Sequence, residues 1–85
     1  MGYVLAAFHS RTQVMRFLEA MKRNGCAVSV VNTPKDAHVG CGLSVKMPYN
    51  CLKTAKRLIS YYRFDAFVGF FEVRTYGGRT TLKTI

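Results

Sequence analysis

One stretch of this chain combines a nucleophile with the turn chemistry needed to present it: Asn32-Thr33-Pro34-Lys35-Asp36-Ala37-His38-Val39-Gly40-Cys41-Gly42. Cys41 is its soft nucleophile, and Gly40 and Gly42 place no side chain next to the sulfur, so a reaction partner can approach it. A thiolate is the reactive form of cysteine, and nearby positive charge favours it over the thiol. Lys35 and His38 are the groups close enough in sequence to supply that charge. Pro34 fixes its own φ and biases Thr33 towards extended backbone, while Asp36 adds turn-forming hydrogen bonds, so the segment reads as a shaped loop. The ordinary role of cysteine in a small intracellular protein is that of a buried, inert hydrophobe. That reading is kept for Cys26 and Cys51, and set aside for Cys41 because its neighbours are glycine and turn residues instead of an apolar periodic run.

The rest of the chain must hold that loop. Its 85 residues suit one small domain, with a core small enough that a second copy or a partner could be needed to cover apolar surface. A hydrophobic content of 49% with 13% aromatics excludes a disordered polar chain. Three cysteines at positions 26, 41 and 51 fit neither a C-x-x-C redox pair nor a zinc knuckle, and with two histidines and four acidic residues no metal-ligand spacing stands out. No metal and no cofactor is expected. The apolar start Tyr3 to Phe8 is too short to span a bilayer and lacks a basic lead-in, and Ala6 stands where an acylation motif needs Ser or Thr, which together lead to the expectation of a cytoplasmic protein without a membrane role. The formal net charge of +9 implies attraction to something anionic, although the basic residues are scattered and a solvated surface explains them equally well.

Tyr3-Val4-Leu5-Ala6-Ala7-Phe8 has the length and continuous apolarity of a central strand. Ser10 with Gln13 three residues later has capping-box spacing, and Val14, Phe17, Leu18 and Met21 then make one apolar helical stripe ending at Asn24-Gly25. The β-branched run Cys26 to Val31 predicts a second strand. Leu43-Ser44-Val45-Lys46-Met47 alternates and predicts a third, with Ser44 and Lys46 turned to water. Asn50 is placed to cap a second helix over about residues 51–62 with the stripe Leu52, Ala55, Ile59 and Tyr62. Ala66 to Val73 predicts the last strand, with Phe67 and Phe71 on one face and Phe70 on the other, an apolar excess that is the best hint of a dimer or partner contact. Residues 75–85 read as a tail, loose or folded into a hairpin around Gly77-Gly78. The order β-α-β-β-α-β over residues 1–74 predicts an α+β, ferredoxin-like split β-α-β domain, a four-stranded antiparallel sheet with both helices on one face.

With that architecture and the Pro34-Lys35-Asp36…Cys41-Gly42 loop, the sequence resembles a family of small selenium or sulfur carrier-like domains over roughly Tyr3 to Val73. The Phe8-His9-Ser10-x-Thr12 turn and the Pro-basic-acidic segment followed by Cys-Gly-Leu carry the resemblance. The family usually has Arg where Lys35 stands, often Glu at Asp36, and Ser where His38 stands, so a bidentate contact is lost here. The resemblance implies a carrier and not a stand-alone enzyme: Cys41 accepts sulfur or selenium from a donor protein, holds it as a persulfide or selenosulfide and passes it to an acceptor. Lys35, Asp36, His38, Gly40 and Gly42 would surround it, with Ser10 and Thr12 as a neighbouring hydrogen-bond or anion site. A plain helix cap is the preferred reading of Ser10, and a solvated loop residue that of His38.

Two further readings compete. A basic, aromatic four-stranded sheet is also how some RNA-binding domains stack bases, although the third strand lacks their aromatic motif. An interaction module pairing through its last strand, with Cys41 inert, is the other.

Overall fold

The computed structural model describes residues 2–34 and 42–85. Five strands and two α-helices follow one another as β1 (Gly2–Phe8), α1 (Arg11–Arg23), β2 (Ser29–Asn32), β3 (Leu43–Met47), α2 (Leu52–Tyr62), β4 (Phe67–Tyr76) and β5 (Arg79–Thr84), with a 3₁₀ turn at Tyr49–Cys51 before α2. The sheet order is β2-β3-β1-β4-β5, and every neighbouring pair is antiparallel. The fold is thus α+β, and the expected four-stranded sheet is a five-stranded one. The fifth strand comes from the Gly77-Gly78 turn: both glycines adopt positive φ (48° and 84°), which glycine enters without a Cβ penalty. Tyr76 then pairs with Arg79 and Val73 with Leu82, so residues 75–85 extend and cover the β4 edge.

Both faces of β1 are buried, which is why its sequence is apolar throughout instead of alternating. Val4, Ala6 and Phe8 join the core built with Val14, Phe17, Leu18 and Met21 of α1 and with Ala55 and Leu58 of α2, so both helices pack on this one face. Phe8, Phe17 and Phe64 meet at centroid distances of 5.3–5.7 Å, mostly edge to face, the geometry that aromatic quadrupoles prefer. On the opposite face, Leu5 and Ala7 are buried with Phe71 and Val73, flanked by half-buried Tyr3, Val31, Val68 and Leu82. The apolar excess of β4 is therefore largely covered within the chain.

Several local expectations change. Phe67 and Phe70 lie together on the helix side, 4.9 Å apart, and only Phe71 faces away. The cause is a register shift: Ala7 pairs with Gly69 but Phe8 pairs with Phe67, so Val68 is an extra residue and parity inverts. Ser44 is fully buried, not solvated, because its hydroxyl is paired with that of Thr33 at 2.6 Å. The second strand begins at Ser29, leaving Cys26 before it and half-buried. Asn50 lies inside the 3₁₀ turn and no side chain caps α2. In α2 the buried stripe turns towards Ala55 and Leu58, leaving Tyr62 at 43% exposure.

Among the described residues, no helix is long and apolar enough to cross a membrane.

Candidate functional site

The site the sequence points to sits where β2 leaves the sheet and β3 re-enters it. Asn32 pairs with Leu43, and one step further the Thr33 N–H donates to the Gly42 carbonyl at 3.0 Å. The two strands are thus zipped up to the point where the intervening segment departs. The buried Thr33–Ser44 hydroxyl pair ties the same two strands through their side chains. Lys35, Asp36, His38, Gly40 and Cys41 lie outside the described residues.

Gly42 is the described member of that segment, and its identity has a steric reason. A Cβ built there would stand 2.9 Å from the Phe8 carbonyl oxygen and 3.5 Å from Thr33 Oγ1. Real Cβ atoms do not approach backbone oxygen so closely, so glycine lets the start of β3 press against the end of β1. Its value here is space.

That contact brings the β1–α1 turn to the same rim. Phe8, His9, Arg11, Asn32, Gly42 and Leu43 surround a cavity of about 240 Å³. The His9 N–H donates to Ala66 O at 2.8 Å, which fastens the turn to the chain entering β4. Ser10, with extended φ −120° and ψ 124°, is the N-cap of α1, and its Oγ accepts from the Gln13 N–H at 3.2 Å. The hydroxyl is engaged as a cap, satisfying one of the orphan donors of the first turn. The reciprocal half of the capping box is missing. Gln13 instead accepts from the Ala66 N–H at 2.9 Å through Oε1 and donates to the Asp65 carboxylate through Nε2. Thr12 is exposed and lines a separate shallow cavity of about 440 Å³ with Arg11, Met15, Arg16 and Glu19. The structure therefore brings Gly42 to the Phe8–Arg11 turn, while Ser10 serves the helix and Thr12 looks elsewhere.

Arg11 is a residue at this rim that the sequence did not single out, and His9 entered only as part of the Phe8-His9-Ser10-x-Thr12 turn, with no role at the site. Arg11 opens a helix with no acidic residue in its first turn, so side-chain charge and the positive end of the helix add at the same place. The signal available was their position on either side of the capping serine, which is the fixed point of a strand-to-helix turn.

The other two cysteines are at the far end of the sheet. Cys51 is 7% exposed. Burial, followed by a hydrogen bond and charge interaction with Cys26, pushes its thiol from 9.0 up to about 11, because a low-polarity setting disfavours the thiolate. Among the described residues no three His, Cys, Asp or Glu side chains gather as a metal site. The outward sheet face carries Tyr3 with Lys46 Nζ 4.3 Å from its ring centroid. The neighbouring outward positions Leu5, Ala7 and Ser44 are aliphatic or small and buried, and Phe71, which pairs with Leu5 on that face, is buried as well, so an exposed row of stacking rings of the kind an RNA-binding sheet uses is absent among the described residues.

A small α+β domain that zips two strands up to a cysteine-bearing segment and packs that segment's exit against a strand-to-helix turn is the class these features define. The chain belongs to the family described as "Putative Se/S carrier protein-like", whose sequence pattern matches residues 3–66. No curated protein and no solved structure matches the chain.

Proposed function

We propose that this domain is a sulfur or selenium carrier whose working atom is the sulfur of Cys41. The observation that carries the reading is the family match over residues 3–66, a span that starts in β1, includes the 35–41 segment and ends between α2 and β4. The pinned flanks support it: a carrier thiol must be offered at a defined place, and the Thr33–Gly42 and Thr33–Ser44 bonds hold both ends of the segment.

In this reading the Cys41 thiolate attacks the outer sulfur of a donor persulfide, R–S–S–H. The donor S–S bond breaks, the donor thiol leaves with the proton, and Cys41 holds the transferred sulfur as its own persulfide. Attack by an acceptor thiolate on that outer sulfur returns Cys41 to the thiolate. Selenium in the outer position follows the same course. Each step is an exchange whose rate follows thiolate fraction and access, so metal and general base have no part in it. The partners are a donor and an acceptor protein in the cytoplasm. The first four strands, in the order β2-β3-β1-β4, are read as a ferredoxin-like split β-α-β sheet with β5 added at the β4 edge.

The test is intact-mass measurement after incubation with a cysteine desulfurase and cysteine, or with a polysulfide. The expected result is a gain of sulfur atoms that a reductant removes and that Cys41→Ser abolishes. Protein that gains no sulfur on Cys41 while Cys26 and Cys51 react normally with alkylating agents overturns the proposal.

A further inference from the structure

The chain's 13 lysines and arginines are scattered in sequence, but the fold gathers most of them on one side. Four belong to α1, three to α2, and Arg63 is the C-cap of α2, which makes eight of the 13. All eight are exposed. The apolar stripes of both helices pack on the sheet, so these charges share the solvent side of the helix layer. Glu19 is the one acidic residue in either helix. Its contact with Arg23, 3.9 Å between two well-exposed side chains, neutralises little.

The arrangement works against the helices themselves. Arg11 and Lys53 stand in first turns, where the helix dipole favours carboxylates. Lys53 and Arg57 are like charges at i and i+4, which repel. Arg63 holds φ 52°, a left-handed cap conformation that glycine enters at least cost. A polyanion lying along the layer relieves the repulsion and takes up the charge at the cap.

The charges also line connected depressions with rings beside them. The cavity of about 440 Å³ that begins at Arg11 shares Arg16 and Glu19 with a cleft of about 210 Å³ between the helices. Ala20, Arg23, Tyr62 and Phe64 complete that cleft. At the end of α1, Arg57 Nη2 donates to Asn24 Oδ1 at 3.3 Å and joins the two helices' basic surfaces. The Arg16 guanidinium carbon lies 5.9 Å from the Phe64 ring centroid. Tyr62 is 6.2 Å from Phe64, and Tyr61 stands 4.8 Å from Tyr62, nearly perpendicular to it. Tyr61 is 76% exposed, one helical turn beyond Arg57, so a ring with no part in the core is offered to solvent beside positive charge.

The combination discriminates among anionic partners. A lipid surface needs an outward apolar stripe, and both stripes here face the sheet. An acidic protein segment is met by charge alone and leaves the rings without a role. Single-stranded nucleic acid uses both, phosphates on the cations and base faces on the rings, and an inter-helix cleft of this volume admits a base and not a duplex. We propose that the helix layer, centred on the groove between α1 and α2, binds single-stranded nucleic acid, with phosphates held by its arginines and lysines and bases stacked on Tyr61 and Tyr62. The surface is separate from the sheet face and independent of sulfur transfer by Cys41.

The experiment is a fluorescence-anisotropy titration of the full-length chain with labelled oligouridylate and oligothymidylate, each about a dozen nucleotides long, from about 50 to about 200 mM salt. Saturable binding is expected, with a slope of log affinity on log salt of about −3 to −4, as roughly four to six phosphate contacts give at about 0.7 each. The tighter of the two probes identifies RNA or DNA as the source of the shared chemistry. Tyr61→Ala should weaken binding about tenfold with the slope unchanged. Arg16→Gln combined with Arg23→Gln should reduce the slope by about 1.4. Arg63→Gly should raise Tm by relieving the cap and yet weaken binding, an opposition that a damaged fold cannot produce. Arg79→Gln, on β5, should bind as the wild type does. Failure to bind either oligonucleotide at about 50 mM salt overturns the proposal. Equal affinity for polyphosphate, for an acidic peptide or for a duplex of the same length also overturns it, as do groove variants that leave affinity and slope unchanged.

Discussion

Replacing Gly42 with Ala tests how the candidate site is assembled. The new methyl carbon would sit 2.9 Å from the Phe8 carbonyl oxygen, against about 3.4 Å for ordinary contact. The obstacle is backbone, so no side chain can swing away. The end of β1 and the start of β3 must separate by roughly half an ångström, which strains the Ala7–Ser44 pairing next to them. Overpacking of this size costs about 1–3 kcal/mol, and the stiffer unfolded chain of the alanine variant returns about 0.4–1 kcal/mol. A net loss of about 1–2 kcal/mol should lower Tm by about 5–15 °C in a domain of this length. Gly69→Ala is the matched control, since nothing lies within 4 Å of its Cβ and its φ is not positive. It should be neutral or slightly stabilising. Thermal melts followed by circular dichroism, with urea titrations for ΔG, read both variants. Gly42→Ala protein as stable as Gly69→Ala would refute the close approach of β3 to β1 on which the description of the rim rests.

Two further outcomes follow from buried polar and ionisable groups. Thr33→Val leaves the fully buried Ser44 hydroxyl without its partner and should cost about 1–3 kcal/mol in urea unfolding, whereas adding Ser44→Ala to it should recover about 1 kcal/mol; strictly additive effects would mean the hydroxyls do not interact. The Cys51 thiol is raised from 9.0 to about 11, so the folded chain holds that proton more tightly than the unfolded one. Its stabilisation is complete below pH 9 and is lost as pH rises through 11; the stability advantage of wild type over Cys51→Ala should narrow across that window, and a gap that stays constant would show that burial does not resist ionisation.

The periodicity of Val14, Phe17, Leu18 and Met21, the Ser10 cap and the Asn24-Gly25 stop were legible because they are local: a helix with one apolar stripe buries it wherever it packs, and all four stripe residues are buried. The continuous apolarity of Tyr3 to Phe8 likewise announced a strand covered on both sides. The unusual Pro34…Cys41-Gly42 composition singled out the candidate segment, whereas the packing reason for Gly42, its closeness to the Phe8 carbonyl, was not legible. Tertiary structure decided what depends on partners distant in sequence. The extra residue at Val68 inverts the faces of Phe67 and Phe71 because it answers the register of β1, and periodicity within β4 contains no record of that. Ser44 reads as a wet position by alternation, and becomes buried only because Thr33 supplies its hydrogen bond. The fifth strand forms because the Gly77-Gly78 turn folds residues 79–84 back onto β4. Local sequence sets which backbone shapes are cheap, while contact between residues far apart in the chain is fixed only when those shapes close around a common core.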